Sequence, residues 1–234
     1  MMAMTVRTKK PSNNKYYLRT ADGGYNQAVK GSPYDKTATV LSNCVGYANG
    51  RFAEIQGKGY IKYQLICDAE NFVEHAKRMG LKVQQKPCKG GIMVWKCGSI
   101  YSSADGRGHV AIVEKDESEM GDGIVYTSES CAGGSAFYNA KRSNKNGRWG
   151  MGSKYQYRGC IVNPAVPVKV LKVGSVIKIR KGAKQYGKSA GFADFVYQTK
   201  YKVIEISGDR VVFATNNKAE TVIGAVRKSD CIVQ

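Results

Sequence analysis

A thiol and an imidazole stand out before any fold is assigned. Cys44 lies in SNCVGYANGRF, where Ser42 or Asn43 is placed to cap a helix and Val45, Ala48, Phe52 and Ile55 recur at helical spacing. A thiol in a first helical turn sees unpaired backbone N–H groups and the positive end of the helix dipole. Both favour the thiolate, which is the nucleophilic form. Taken alone, a small buried hydrophobe is the ordinary reading of such a cysteine. A thiolate nucleophile needs a base, and the chain has only two histidines. His75 falls inside DAENFVEHAKRMG among charged neighbours and is expected to face solvent. His109 opens HVAIVE directly behind the loop SSADGRG, exposed enough to exchange protons and held enough to be aimed; a plain surface histidine is the alternative.

A base of this kind wants an acceptor for its other ring nitrogen. Asp105, Glu114 and Glu129 are the carboxylates near His109. Glu114 is five positions along the same strand, so it points to the opposite face about 16 Å away. Asp105 sits in the loop and is poorly fixed. Glu129 ends the strand IVYTSE, and an antiparallel hairpin through EKDESEMGDG brings that end beside the start of the His109 strand. Geometry favours Glu129.

The elements that must position these groups follow from periodicity and punctuation. After the helix that begins near Cys44, a second helix is expected from a capping Asp68 to Gly80, which stands at the usual C′ position. LKVQ, GGIMVWK, GHVAIVEK and GIVYTSES then read as strands joined by tight turns. Helices followed by consecutive strands indicate an α+β domain with an antiparallel sheet. The segment NNKYYLRTADGGYNQAVKGSP is too rich in Gly and Asn for a long helix. Pro164 and Pro167 mark an extended connector in IVNPAVPVKV. Beyond it, VGSVIKI, YKVIEI, RVVFAT and ETVIGAV are short β runs, with ISGDR as a hairpin turn in which Gly208 supplies positive φ. Their spacing suggests a small β-barrel. The expected domains are therefore 1–163 and 171–234, joined by a linker at 164–170.

The motifs together resemble the CHAP family, the cysteine, histidine-dependent amidohydrolases/peptidases of phage endolysins and bacterial wall enzymes. SNCVGYANGRF, KPCKGGIMVW, GRGHVAIVE, YTSESCAGGSAFYN and NGRWG carry the resemblance over about residues 30 to 163. It implies a papain-like fold, N-terminal helices packed on an antiparallel sheet. It also implies Cys44 as nucleophile, His109 as base and Glu129 as orienting acid, acting on an amide bond of peptidoglycan without metal or organic cofactor. Ser130 stands where family members often place an asparagine. The Cys44 backbone N–H is the natural oxyanion donor, with Asn43 the candidate for the second. Trp149, in a Gly-rich turn, is the candidate groove aromatic, whereas Trp95 closes an apolar strand and reads as core. The C-terminal runs resemble bacterial SH3-like wall-binding domains.

Bulk composition is compatible with this assignment. Lys and Arg number 37 against 18 Asp and Glu, a net charge of +19. From Val168 onward, 13 basic residues stand against 5 acidic ones, so both parts are basic. Such a field attracts polyanions, here expected to be peptidoglycan and anionic wall polymers. A basic nucleic-acid- or wall-binding module without hydrolysis is the alternative. RNA-binding motifs and a stacking platform of aromatics are absent from the sequence, so no nucleic-acid partner is expected. The seven cysteines include no C-x-x-C pair, which argues against a zinc site, and a disulfide framework is not expected in the cytoplasm. The N-terminus lacks the apolar core of a signal peptide, and no run is long enough to span a membrane. The chain is thus expected in the cytoplasm of a phage host, reaching the wall after a holin opens the membrane, the last step implied by the resemblance alone.

Overall fold

A computed structural model of the chain describes residues 4–11, 16, 44–57, 65, 67–97, 107–130, 137–216 and 221–234. It divides into two compact units, Met1–Val168 and Lys169–Gln234.

In the first unit, helix α1 (Cys44–Gln56) precedes a 3₁₀ turn (Ala69–Asn71) that runs into α2 (Phe72–Arg78). The helix expected from Asp68 therefore starts as a tighter turn, and Asp68 makes no side-chain capping bond. Six strands follow: β1 (Val83–Gln84), β2 (Ile92–Cys97), β3 (His109–Lys115), β4 (Ile124–Ser130), β5 (Phe137–Ser143) and β6 (Tyr155–Ile161). The short helix α3 (Glu117–Met120) bridges β3 and β4, its start capped by the Asp116 carboxylate accepting from Ser118 N–H. The sheet runs β1-β6-β2-β3-β4-β5, antiparallel throughout.

Strand alternation places side chains on two covered faces. Ile92, Val94, Val110 and Ile112 join Val45, Ala48 and Phe52 of α1 and Phe72, Val73 and Ala76 of α2 in one core. Met93, Trp95, Ala111, Val113 and Val125 pack on the other face with Trp149, Cys160 and Val162. Burial of each large side chain here contributes about 1.5–3 kcal/mol. β3 is thus central, and its apolar run HVAIVE is buried on both sides.

α1 is buried nearly all round through Ala53, not along one stripe. Its polar side chains are accommodated by partners. Tyr47 Oη donates to Ser128 Oγ (2.7 Å), Asn49 brackets the Leu65 backbone, and Arg51 clasps Glu114.

The second unit is a five-stranded antiparallel sheet of β7 (Val176–Ile179), β8 (Lys200–Ser207), β9 (Arg210–Thr215), β10 (Val222–Arg227) and β11 (Cys231–Val233), in the order β10-β9-β8-β7-β11. Ser207 pairs with Arg210, so Gly208 and Asp209 form a two-residue hairpin turn, with Gly208 at φ 54°. Ile177, Val203, Val211 and Phe213 centre the core, and α4 (Asp194–Gln198) adds Val196 to it. Among the described residues the sheet does not close. β11 is three residues long and its ladder is taken up by β7, which leaves β10 as the other edge, so the expected closed barrel is not formed.

Candidate active site

Three elements converge on His109. α1 begins at Cys44, β3 begins at His109, and β4 ends just past Glu129. Gly108, at φ 71°, delivers the chain into β3, and a Cβ there would lie 2.3 Å from the Trp95 carbonyl oxygen and 2.7 Å from Glu70 N. Only glycine fits so close an approach at that φ. The preceding turn is pinned by Glu70 N–H donating to the Arg107 carbonyl (3.0 Å). Trp95 pairs with His109 across β2 and β3, and their ring centroids lie 5.9 Å apart.

Val113 pairs with Thr127 and Ile112 with Ser128, a register that puts Glu129 across from Ala111 and diagonal to His109. Glu129 Oε2 and His109 Nε2 are 2.7 Å apart. An ionised carboxylate is acceptor-only, so Nε2 carries the proton and donates. Glu129 is fully buried, yet its oxygens are saturated. Oε1 accepts from Thr127 Oγ1 and from Arg142 Nε (2.6 Å). Oε2 accepts from Arg142 Nη2 (2.6 Å), from Tyr138 Oη (3.0 Å) and from His109. The even strand spacing of Thr127 and Glu129, and of Tyr138 and Arg142, sets all four on the His109 face.

These contacts decide the protonation states. Burial would raise the Glu129 carboxyl, but hydrogen bonds and charge from His109 and Arg142 win and hold it at about 2. Burial would lower His109, but hydrogen bonds to Cys44 and Glu129, with the charge on each, hold it up at about 9. Arg142 is pushed higher still, because the Glu129 contacts outweigh its burial. With Nε2 committed to Glu129, Nδ1 is the ring nitrogen left for Cys44.

The other expected residues fall elsewhere. Asn43, Ser42, Asp105 and Cys131 lie outside the described residues. Ser130 is buried, and its Oγ has no hydrogen-bond partner among the described residues. Glu114 faces α1, opposite to His109, as strand parity requires, and pairs with Arg51. His75 is half-buried on α2 and does not face solvent freely; burial and then the Arg78 charge hold its pKa below the ordinary value. Trp149, expected at a groove, is 4% exposed and packs in the core. It takes φ 53°, and that left-handed turn in the Gly-rich run rolls the ring inward beside Tyr157. Arg142, Tyr138 and Thr127 were not anticipated. The only sequence signal for them is parity along β4 and β5, legible once the register is known.

Among the described residues, no group of three or more His, Cys, Asp or Glu side chains is placed to hold a metal, and no helix is long and apolar enough to cross a membrane. A thiol at a helix start, beside an imidazolium backed by a fixed carboxylate, is an arrangement able to perform nucleophilic acyl transfer. No curated protein matches the chain. The stretch that holds Cys44, His109 and Glu129, residues 33–131, matches the family model described as the CHAP domain, which implies amidohydrolase or peptidase activity.

Proposed function

We propose that this chain is a peptidoglycan hydrolase of the endolysin type, cutting an amide bond of the bacterial wall through Cys44, His109 and Glu129. The observation that carries this reading is His109 held between the Cys44 thiol and an ionised Glu129. The His109 imidazolium holds the proton taken from the Cys44 thiol, and the thiolate attacks the scissile carbonyl carbon. The tetrahedral oxyanion is met by the Cys44 backbone N–H at the start of α1, at the positive end of the helix. The His109 imidazolium, retained up to about pH 9, then protonates the leaving amine. Water, deprotonated by the neutral imidazole, hydrolyses the thioester and releases Cys44. Glu129 keeps the ring oriented and stabilises its charged form.

Net charge on both parts of the chain supports an anionic polymer as the surface the enzyme works on. The second unit is read as an SH3-like wall-binding module, and the whole as a protein of a phage host's cytoplasm released to the wall at lysis. The test is digestion of purified Gram-positive peptidoglycan by the wild-type protein and by Cys44→Ala, with products identified by mass spectrometry. Wild type should release fragments whose new termini separate amidase from endopeptidase cleavage, and the variant none. Equal release by both, or release by neither from walls of several cross-bridge types, would refute the assignment.

A further inference from the structure

We propose that Arg142 is a positioning residue of this site, locking Glu129 as a fixed carboxylate so that His109 shares its charge with Cys44 and not with Glu129 alone. The inference rests on the Cys44–His109–Glu129 reading above. Its geometric basis is a two-point clasp. Arg142 Nε reaches Oε1 and Nη2 reaches Oε2, each at 2.6 Å, so the carboxylate plane is defined and rotation about its last bond is blocked. The guanidinium is itself held from three further directions. Nη1 donates to the Trp149 carbonyl (3.3 Å) and lies 3.0 Å from Met151 Sδ, and the guanidinium carbon stands 4.9 Å from the Trp95 ring centroid. Trp95 also packs on His109, so one indole braces both the base and the cation behind its acid.

The charge arrangement gives the clasp its consequence. Among the described residues, the titratable or charged groups facing His109 and Glu129 are Cys44 from α1, Glu129 from β4, and Tyr138 and Arg142 from β5; β2 contributes the uncharged Trp95. Without Arg142, an unscreened buried Glu129 would bind the imidazolium proton more tightly and be free to turn. With Arg142 present, the Glu129 charge is largely balanced. The imidazolium proton is then given up more readily to the leaving group, and the ring stays aimed at the thiol. Removing the cation should therefore raise the pH at which His109 gives up its proton and lower the rate, two effects that separate charge from geometry.

The experiment measures release of soluble fragments from purified Gram-positive peptidoglycan against pH, using the full chain and the variants Arg142→Gln and Arg142→Lys. Folded fraction is fixed beforehand by circular dichroism at the assay temperature. Arg142→Gln should lose about 10- to 100-fold in plateau rate and move the alkaline limb up by about one pH unit. Arg142→Lys keeps the charge but not the fork, so the limb should stay while the plateau falls. Wild-type plateau and limb in folded Arg142→Gln would overturn the proposal. If that variant does not fold, wild-type plateau activity in Arg142→Lys overturns it instead. Cys44→Ala run in parallel separates the two failures: hydrolysis by Cys44→Ala sinks the catalytic reading, whereas an inactive Cys44→Ala beside unaltered Arg142 variants sinks only the role of Arg142.

Discussion

Replacing Glu114 by glutamine should loosen the junction between the nucleophile's helix and the base's strand. Glu114 is fully buried on the face of β3 that meets α1. Its Oε1 accepts from Arg51 Nε (2.9 Å) and Ser128 Oγ (2.7 Å), and its Oε2 from Arg51 Nη2 (2.9 Å) and the Arg7 backbone N–H (3.0 Å). A glutamine amide accepts on one side only, so two of these donors lose their partner and Arg51 loses a buried counter-charge. Breaking a buried pair by removing one partner costs about 3–5 kcal/mol. The lower figure applies here, because Arg51 Nη1 retains Glu54 Oε2 at 2.6 Å. For a domain of this size, about 3 kcal/mol lowers Tm by roughly 6–12 °C. Because Cys44 starts α1 and His109 starts β3, the hydrolysis rate measured well below Tm should also fall, through loss of alignment. Thermal melts of Glu114→Gln, Arg51→Met and the double variant provide the assay. The double variant should lose little more than either single one, since the two share one interaction. A Tm within 2 °C of wild type for Glu114→Gln, or strictly additive losses, would refute the reasoning.

Four further outcomes can be measured. The rise of His109 from 6.5 to about 9 is worth about 3 kcal/mol; because the folded value is the higher, that stability is complete below about pH 6.5 and lost as pH rises through about 9, and the activity limb should fall in the same window. Glu129 acts oppositely, its contribution present above about pH 4.5 and lost as pH falls toward about 2, so denaturant midpoints should peak between those two ranges. Gly108→Ala places a Cβ 2.3 Å from a backbone oxygen at φ 71°, so it should reduce activity about 100-fold or prevent folding; near-wild-type rate and Tm would contradict the close approach. Deleting the unit Lys169–Gln234 should weaken pull-down on wall material at low salt while leaving hydrolysis by the first unit, and unchanged binding would count against the targeting role.

The sequence revealed what local rules control. Cys44 could be placed at a helix start because the apolar spacing of Val45, Ala48 and Phe52 marks the helix, and Glu129 could be set beside His109 because a hairpin fixes which strand ends meet. Long-range pairing was not legible. Arg142 sits in FYNAKRS, whose polar run hides a strand, and its burial arises only when Val125 lies opposite it and Glu129 faces it. Trp149 was misplaced because glycines around an aromatic suggest an exposed loop, while the backbone there turns the ring into the core. Cys88 and Cys160 are 72 positions apart, yet β6 beside β2 brings their sulfurs to 3.8 Å. The open edges of the second sheet were equally hidden, since strand count does not reveal closure.

The most direct test of the central claim is stoichiometric alkylation. The protein is treated with one equivalent of iodoacetamide, and labelled positions are mapped by mass spectrometry while wall hydrolysis is followed on the same sample. Burial pushes Cys67 up to about 11 and holds Cys160 well above an ordinary thiol, so neither competes well as a thiolate. The account predicts that the label falls first on Cys44 and that activity disappears in proportion to it. Undiminished hydrolysis by protein fully alkylated at Cys44, or loss that tracks another cysteine, would contradict it.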